Sequence, residues 1–198
     1  MRYVLFAAAA ALGVSTAANA AIIPVLDTVT QVGSEYEFSY SGTLAGDQGL
    51  IQGSTLVIFD FLGYVPGSID AGIYAADVTA SVENTSVLLP PPGQTDDPLL
   101  ANLVFRWTGN PFNASGGPFA DVSFSGLTAR SIYSAVQIDG FSAKAVVNNG
   151  AATGLAAYNS GEVGVPAQVP EPATWAMLIL GFGGVGTVIR TRRRLGLA

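Results

Sequence analysis

The chain has no cysteine and no histidine in its 198 residues. Without cysteine there are no disulfides, no thiol nucleophile and no thiolate zinc site. Without histidine the usual general base and the commonest metal ligand are missing. Positive charge is also scarce, with eight Lys and Arg against 14 Asp and Glu. Five of those eight lie near the ends, at Arg2, Arg190, Arg192, Arg193 and Arg194. Residues 21–168 therefore hold only Arg106, Arg130 and Lys144 against 13 carboxylates, a balance of −10. Such an acidic stretch disfavours nucleic acid and anionic lipid as partners. It is compatible with solubility, divalent cations or neutral glycans. Neither a Gly-x-Ser-x-Gly elbow nor a Ser-x-x-Lys motif occurs. These absences point to a protein that is not an enzyme and carries no cofactor.

What is present in the middle of the chain is strand-like. Tyr36, Phe38 and Tyr40 alternate with Glu35, Glu37, Ser39 and Ser41, the period-two pattern of a half-buried antiparallel strand. Residues 55–61 (T-L-V-I-F-D-F) are nearly continuously apolar, which predicts a central strand. Further alternation covers residues 77–82, 102–107 and 121–124. Residues 132–138 and 141–147 read as two strands joined by a tight turn at Asp139-Gly140. Gly, Pro, Asn and Asp cluster between these runs, as in 42–49, 90–93 and 109–118, and no helical period competes. The prediction is an all-β fold: a single antiparallel β-sandwich, with the jelly-roll as one form open to it. Its strands run from about 28 to 148 within an exported domain at 21–148. Residues 149–168 are rich in Ala, Gly and Asn and read as a flexible linker, with 155–158 as an optional edge strand.

Both ends read as addresses. Residues 1–20 form a signal peptide: Arg2 starts it, an Ala-rich apolar stretch follows, and Ala18-Asn19-Ala20 is a small-x-small cleavage site. Cleavage after Ala20 leaves Ala21 as the new N-terminus. The last thirty residues, 169–198, have three parts. Pro170, Glu171 and Pro172 make a stiff extended peptide. Residues 173–189 carry no charge over 17 positions, about 25 Å as a helix, at the short edge of what spans a bilayer. Trp175 sits at the outer interface, and Arg190, Arg192, Arg193 and Arg194 begin a cytoplasmic tail, 190–198, by the positive-inside rule. A signal helix and a C-terminal transmembrane helix thus flank the β-domain, and both place that domain outside the cytoplasmic membrane.

This terminal segment resembles the PEP-CTERM sorting signal of Gram-negative bacteria, in the variant with Pro-Glu-Pro, two residues, then Trp-Ala: Pro170, Glu171, Pro172, Trp175 and Ala176. The resemblance covers residues 169–198 and does not reach the β-domain. It implies processing at or near Pro-Glu-Pro by exosortase, an integral-membrane protease-transpeptidase. It also implies a membrane-anchored precursor, a final place at the cell surface or in the extracellular matrix, and an association with exopolysaccharide.

Candidate chemistry within the β-domain is thin. Adjacent Asp96 and Asp97 suit a Ca²⁺ ion in part, but the spaced Asp pattern of a Ca²⁺ loop is missing, and an acidic turn before Pro98 explains them as well. Glu35 and Glu37 share a strand face about 7 Å apart, within the range a glycosidase uses, yet they also form the ordinary solvated face of an amphipathic strand. Tyr64, Tyr74, Trp107 and Tyr133 are candidates for a sugar-stacking platform, with Trp107 better read as core beside Leu103 and Phe105. Asn84-Thr85-Ser86 and Asn113-Ala114-Ser115 match the N-glycosylation pattern, which carries little meaning in a bacterium. The resulting expectation is a structural or adhesive surface protein, with a glycan-binding module as the alternative and a carboxylate-based hydrolase behind both.

Overall fold

The computed structural model describes residues 22–86, 88–168 and 177–182. Nine strands follow in order: β1 (Ile22–Val32), β2 (Glu35–Leu44), β3 (Gln48–Gly49), β4 (Thr55–Phe61), β5 (Val78–Glu83), β6 (Ala101–Trp107), β7 (Val122–Ser131), β8 (Ala135–Val147) and β9 (Ala156–Ala167). All the pairings between them are antiparallel. One sheet has the order β1-β2-β7. In the other, β8 lies between β9 and β4, β3 adds to the end of β8, and β6 and β5 follow β4 outward. Alternation explains the first sheet: Phe38, Tyr40 and Leu44 of β2 point inward and are buried, with polar residues between them.

One core joins the two sheets. Phe38, Tyr40 and Leu127 from the first meet Leu56, Ile58, Leu103 and Phe141 from the second. Phe38 packs edge-to-face on Phe61 at 5.4 Å. The Tyr40 hydroxyl donates to the Gly164 carbonyl at 3.0 Å, and burial raises its pKa.

The continuously apolar run of β4 has a direct cause: all seven residues are buried, so both faces of the strand are covered. Leu56 and Ile58 face the main core. Val57 and Phe59 form a second small core with Val104 and Leu88. Leu88 belongs to the connection from β5 to β6, residues 84–100, which crosses the outside of this sheet as a strap. The Ser142 hydroxyl donates to the Leu89 carbonyl on the same side.

Three features depart from the sequence reading. Residues 132–138 and 141–147 are not a hairpin, because β8 is one strand through Asp139 and Gly140. Asp-Gly makes a hairpin only where its flanks pair with each other. Here both flanks pair with β9, with Asp139 opposite Val163 and Gly140 opposite Glu162. Gly140 serves close approach instead, since a side chain there would run into Pro91 and Gln94 of the strap. Second, the stretch predicted as a flexible linker contains β9, which pairs with β8 over twelve registers. Its Val163 and Val165 are buried in the core, and a side chain at Gly164 would strike Leu26 and Val136. The small residues that suggest a linker are what tight packing requires. Third, β1 begins at Ile22 and β7 runs on to Ser131, both beyond the predicted strands.

The strand pairings and both cores lie within residues 22–167.

Candidate functional site

Two regions bear on function: the C-terminal signal and a cleft at one pole of the β-domain. For the signal, Pro170, Glu171, Pro172, Trp175, Ala176, Arg190, Arg192, Arg193 and Arg194 lie outside the described residues, as do Ala18 and Ala20 at the N-terminal cleavage site. Within the apolar stretch, residues 177–182 are helical, and Met177, Ile179, Leu180 and Phe182 are exposed. Among the described residues no helix is long and apolar enough to cross a membrane. The junction itself is short, because β9 ends at Ala167 and only Gln168 and Val169 precede Pro170. Five residues separate Ala167 from Ala173, so the last strand ends within about 20 Å of the apolar segment at full extension.

The cleft lies where β1, β4, β5 and β7 begin and where β2 and β6 end. It encloses about 340 Å³ and is lined mostly by apolar side chains from both sheets, including Leu44, Leu56, Phe105, Trp107, Phe124 and Leu127. Backbone bonds fix its rim. Leu50 and Phe112 exchange N–H···O bonds of 2.8 and 2.9 Å. The Thr108 N–H donates to the Asp77 carbonyl at 2.8 Å. Trp107 donates its indole N–H to the Asn110 carbonyl at 2.9 Å, and its ring lies 6.2 Å from that of Phe112. The chain leaves the domain at the opposite pole, since Ala167 pairs with Ala135 at the start of β8 whereas Val147 at its far end pairs with Gln48, two residues from the cleft-lining Leu50.

The predicted aromatic platform divides between these poles. Tyr74 and Trp107 line the cleft. Tyr64 packs on Phe61 at 6.3 Å and bridges to Ser131 at the far end of β7, and Tyr133 lies against Gly63 nearby. A different exposed ring was not legible as a site. Tyr158 of β9 stands beside Asn159, Ser160 and Ser142 in a shallow groove of about 410 Å³ along the strap at Leu88, Leu89 and Pro90. The strand, and with it the face on which Tyr158 sits, emerges only from the pairing of β9 with β8.

The carboxylates are tied to partners. Arg130 holds both Glu35, at 3.7 Å, and Glu37, at 3.3 Å, so this pair is bridged on the sheet surface and does not flank a cleft. Asp96 accepts from Asn102 Nδ2 at 2.9 Å and from the Ser86 N–H at 3.2 Å. Asp97 caps the Leu99 N–H at 2.9 Å. These bonds close the strap onto a bulge in β4 at Asp60, whose backbone is left-handed at φ 53°. Asp60 accepts the Asp97 N–H at 3.0 Å and donates its own N–H to Asn102 Oδ1 at 2.9 Å. Burial pushes its carboxyl up to about 6, with the charges of Asp139, Asp96 and Asp97 adding to the rise and the Asp97 N–H opposing it. Burial also raises Asp139, opposed by the Gly140 N–H. Among the described residues no group of three or more Asp or Glu is arranged to hold a metal ion. The two glycosylation patterns are spent locally, as Asn84 donates to the Pro98 carbonyl and Asn113 occupies a left-handed turn at φ 48°.

No curated protein and no solved structure matches the chain. A family model does match one segment, residues 168–194, and its description is the PEP-CTERM protein-sorting motif. That motif implies an exported protein, anchored transiently in the membrane before processing, with exosortase as the processing partner. The chain thus carries a PEP-CTERM sorting signal, which begins immediately after the last strand of its β-domain.

Proposed function

We propose that this protein is a non-catalytic, exported β-sandwich. Its tail delivers it to the membrane, exosortase cuts it near Pro170-Glu171-Pro172, and it remains at the cell surface or in the exopolysaccharide matrix in a structural or adhesive role. The observation that carries this reading is the position of the sorting motif, directly behind a domain whose sheets and cores close within residues 22–167. The apolar inter-sheet core and the pairing of Arg106 and Arg130 with surface carboxylates suit a scaffold that holds together outside the cell without disulfides. The test exchanges Pro170, Glu171 and Pro172 for alanine in a host that makes exosortase. The signal peptide is still removed, and the tail is retained. Tail removal at the normal rate in that variant would sink the processing claim.

A second reading, a glycan-binding module, is favoured by the outer groove. Tyr158 is 64% exposed there, with amide and hydroxyl groups alongside, the combination that stacks on a sugar ring and bonds its hydroxyls. On this reading a glycan array shows saturable binding that Tyr158→Ala lowers at least about tenfold. An array without saturable binding rejects it.

A further inference from the structure

We infer that the inter-sheet cleft is a binding site for one uncharged alkyl chain of about ten carbons, taken up from the pole that faces away from the sorting tail. The first ground is that the cleft persists at all. Protein interiors close to crystal-like density, and an apolar gap forfeits dispersion contacts along its lining. Here the two sheets diverge at one pole around about 340 Å³, at the small end of the 300–1,000 Å³ typical of ligand pockets. At about 30 Å³ per water-sized group, this space takes about ten methylenes.

The second ground is a rim that resists collapse. Leu50 and Phe112 are joined by two backbone bonds, and the Trp107 N–H and C=O are bonded to Ser54 and Gly53. The rim is therefore held open by backbone structure and not by side chains free to swing inward.

The third ground is chemistry. Inside the cleft, Ser54 and Thr55 are buried and their hydroxyls serve the adjacent turn: Ser54 Oγ accepts the Ile51 N–H at 3.0 Å, and Thr55 Oγ1 donates to the Gly53 carbonyl at 3.0 Å. The interior thus presents hydrocarbon. Among the described lining residues Asp77 is the one acidic side chain, no Lys or Arg accompanies it, and it stands exposed at the mouth. A fatty-acid carboxylate at that mouth would meet a like charge and no cation among those residues, whereas an alcohol or ester end is tolerated. The site thus selects a neutral alkyl group, such as a fatty alcohol or ester, over a fatty acid.

The test uses residues 21–168, the span left after both proposed cleavages, in which Trp107 is the sole tryptophan and lines the cleft. Titration with decanol shifts Trp107 emission along a saturable one-site curve, and decanoate at neutral pH binds at least about tenfold more weakly. Val78→Phe and Val122→Phe, two half-buried lining positions, fill the cleft and each lowers decanol affinity by at least about tenfold, with circular dichroism confirming the fold. Asp77→Lys narrows or reverses the preference for decanol over decanoate. Three results would each overturn the inference: no saturable response to decanol, an affinity unmoved by whichever filling variant folds, or equal binding of decanoate by the unaltered domain.

Discussion

At the scale of single residues, Asp60 is the position most at odds with its surroundings. It is 7% exposed in a strand otherwise built, apart from Thr55, of apolar side chains, and it adopts a left-handed backbone. Its carboxyl titrates at about 6, against an ordinary value of 3.8 in the unfolded chain. A carboxyl raised on folding favours the folded state while protonated. The stability it contributes is therefore full below about 4, falls as pH rises through the window to about 6, and is level above that. Asn fits the same backbone, keeps an oxygen for the Asp97 N–H and cannot ionise. Asp60→Asn should raise stability at pH 7 by on the order of 1 kcal/mol and flatten the decline between pH 4 and 6. Urea unfolding of both proteins across pH 4–8 measures this, and parallel pH profiles would show that Asp60 is not the group responsible. Asp60 also shows what a linear pattern conveys. The run T-L-V-I-F-D-F announces a buried strand, but the bulge that turns Asp60 toward Asp97 and Asn102 depends on a strap contributed from residues 84–100.

At the scale of elements, β2, β4 and β6 were legible because each strand supplies its own pattern. Alternation in β2 follows from one buried face, and the unbroken apolar run of β4 from two. The continuity of the eighth strand and the full length of the ninth were not legible, for a shared reason. Asp139-Gly140 has hairpin chemistry, and residues 156–167 have linker composition, but each local signal yields to the twelve-register ladder between them. The cleft was hidden for a similar reason, since its lining comes from six strands and the loops between them, and no single stretch of sequence contains it. The ninth strand gives a sharp prediction. Ending the chain at residue 155 removes Val163 and Val165 from the core and leaves the edge of β8 unpaired. That truncated domain should lose cooperative unfolding and become protease-sensitive. A linker in the same place could be deleted with the melting transition intact.

At the scale of the whole molecule, the ninth strand also changes how the domain meets its sorting signal. With β9 ending at Ala167, the Pro-Glu-Pro site stands three residues from folded structure and not at the end of a twenty-residue stalk. On the proposed cleavage near Pro170-Glu171-Pro172, the protease acts close to the end of β9, at the pole opposite the cleft. Inserting a flexible Gly-Ser segment after Gln168 should speed processing if access limits it. On the proposed function, the two ends of the chain give the domain its destination, and the domain gives the destination a disulfide-free β-scaffold. The most direct measurement of this account is the intact mass of the protein extracted from the surface of a host that makes exosortase. The predicted mass corresponds to a chain that begins at Ala21 and ends at or near Pro170-Glu171-Pro172. A mass that retains the apolar segment and the arginine tail through Ala198 would contradict it.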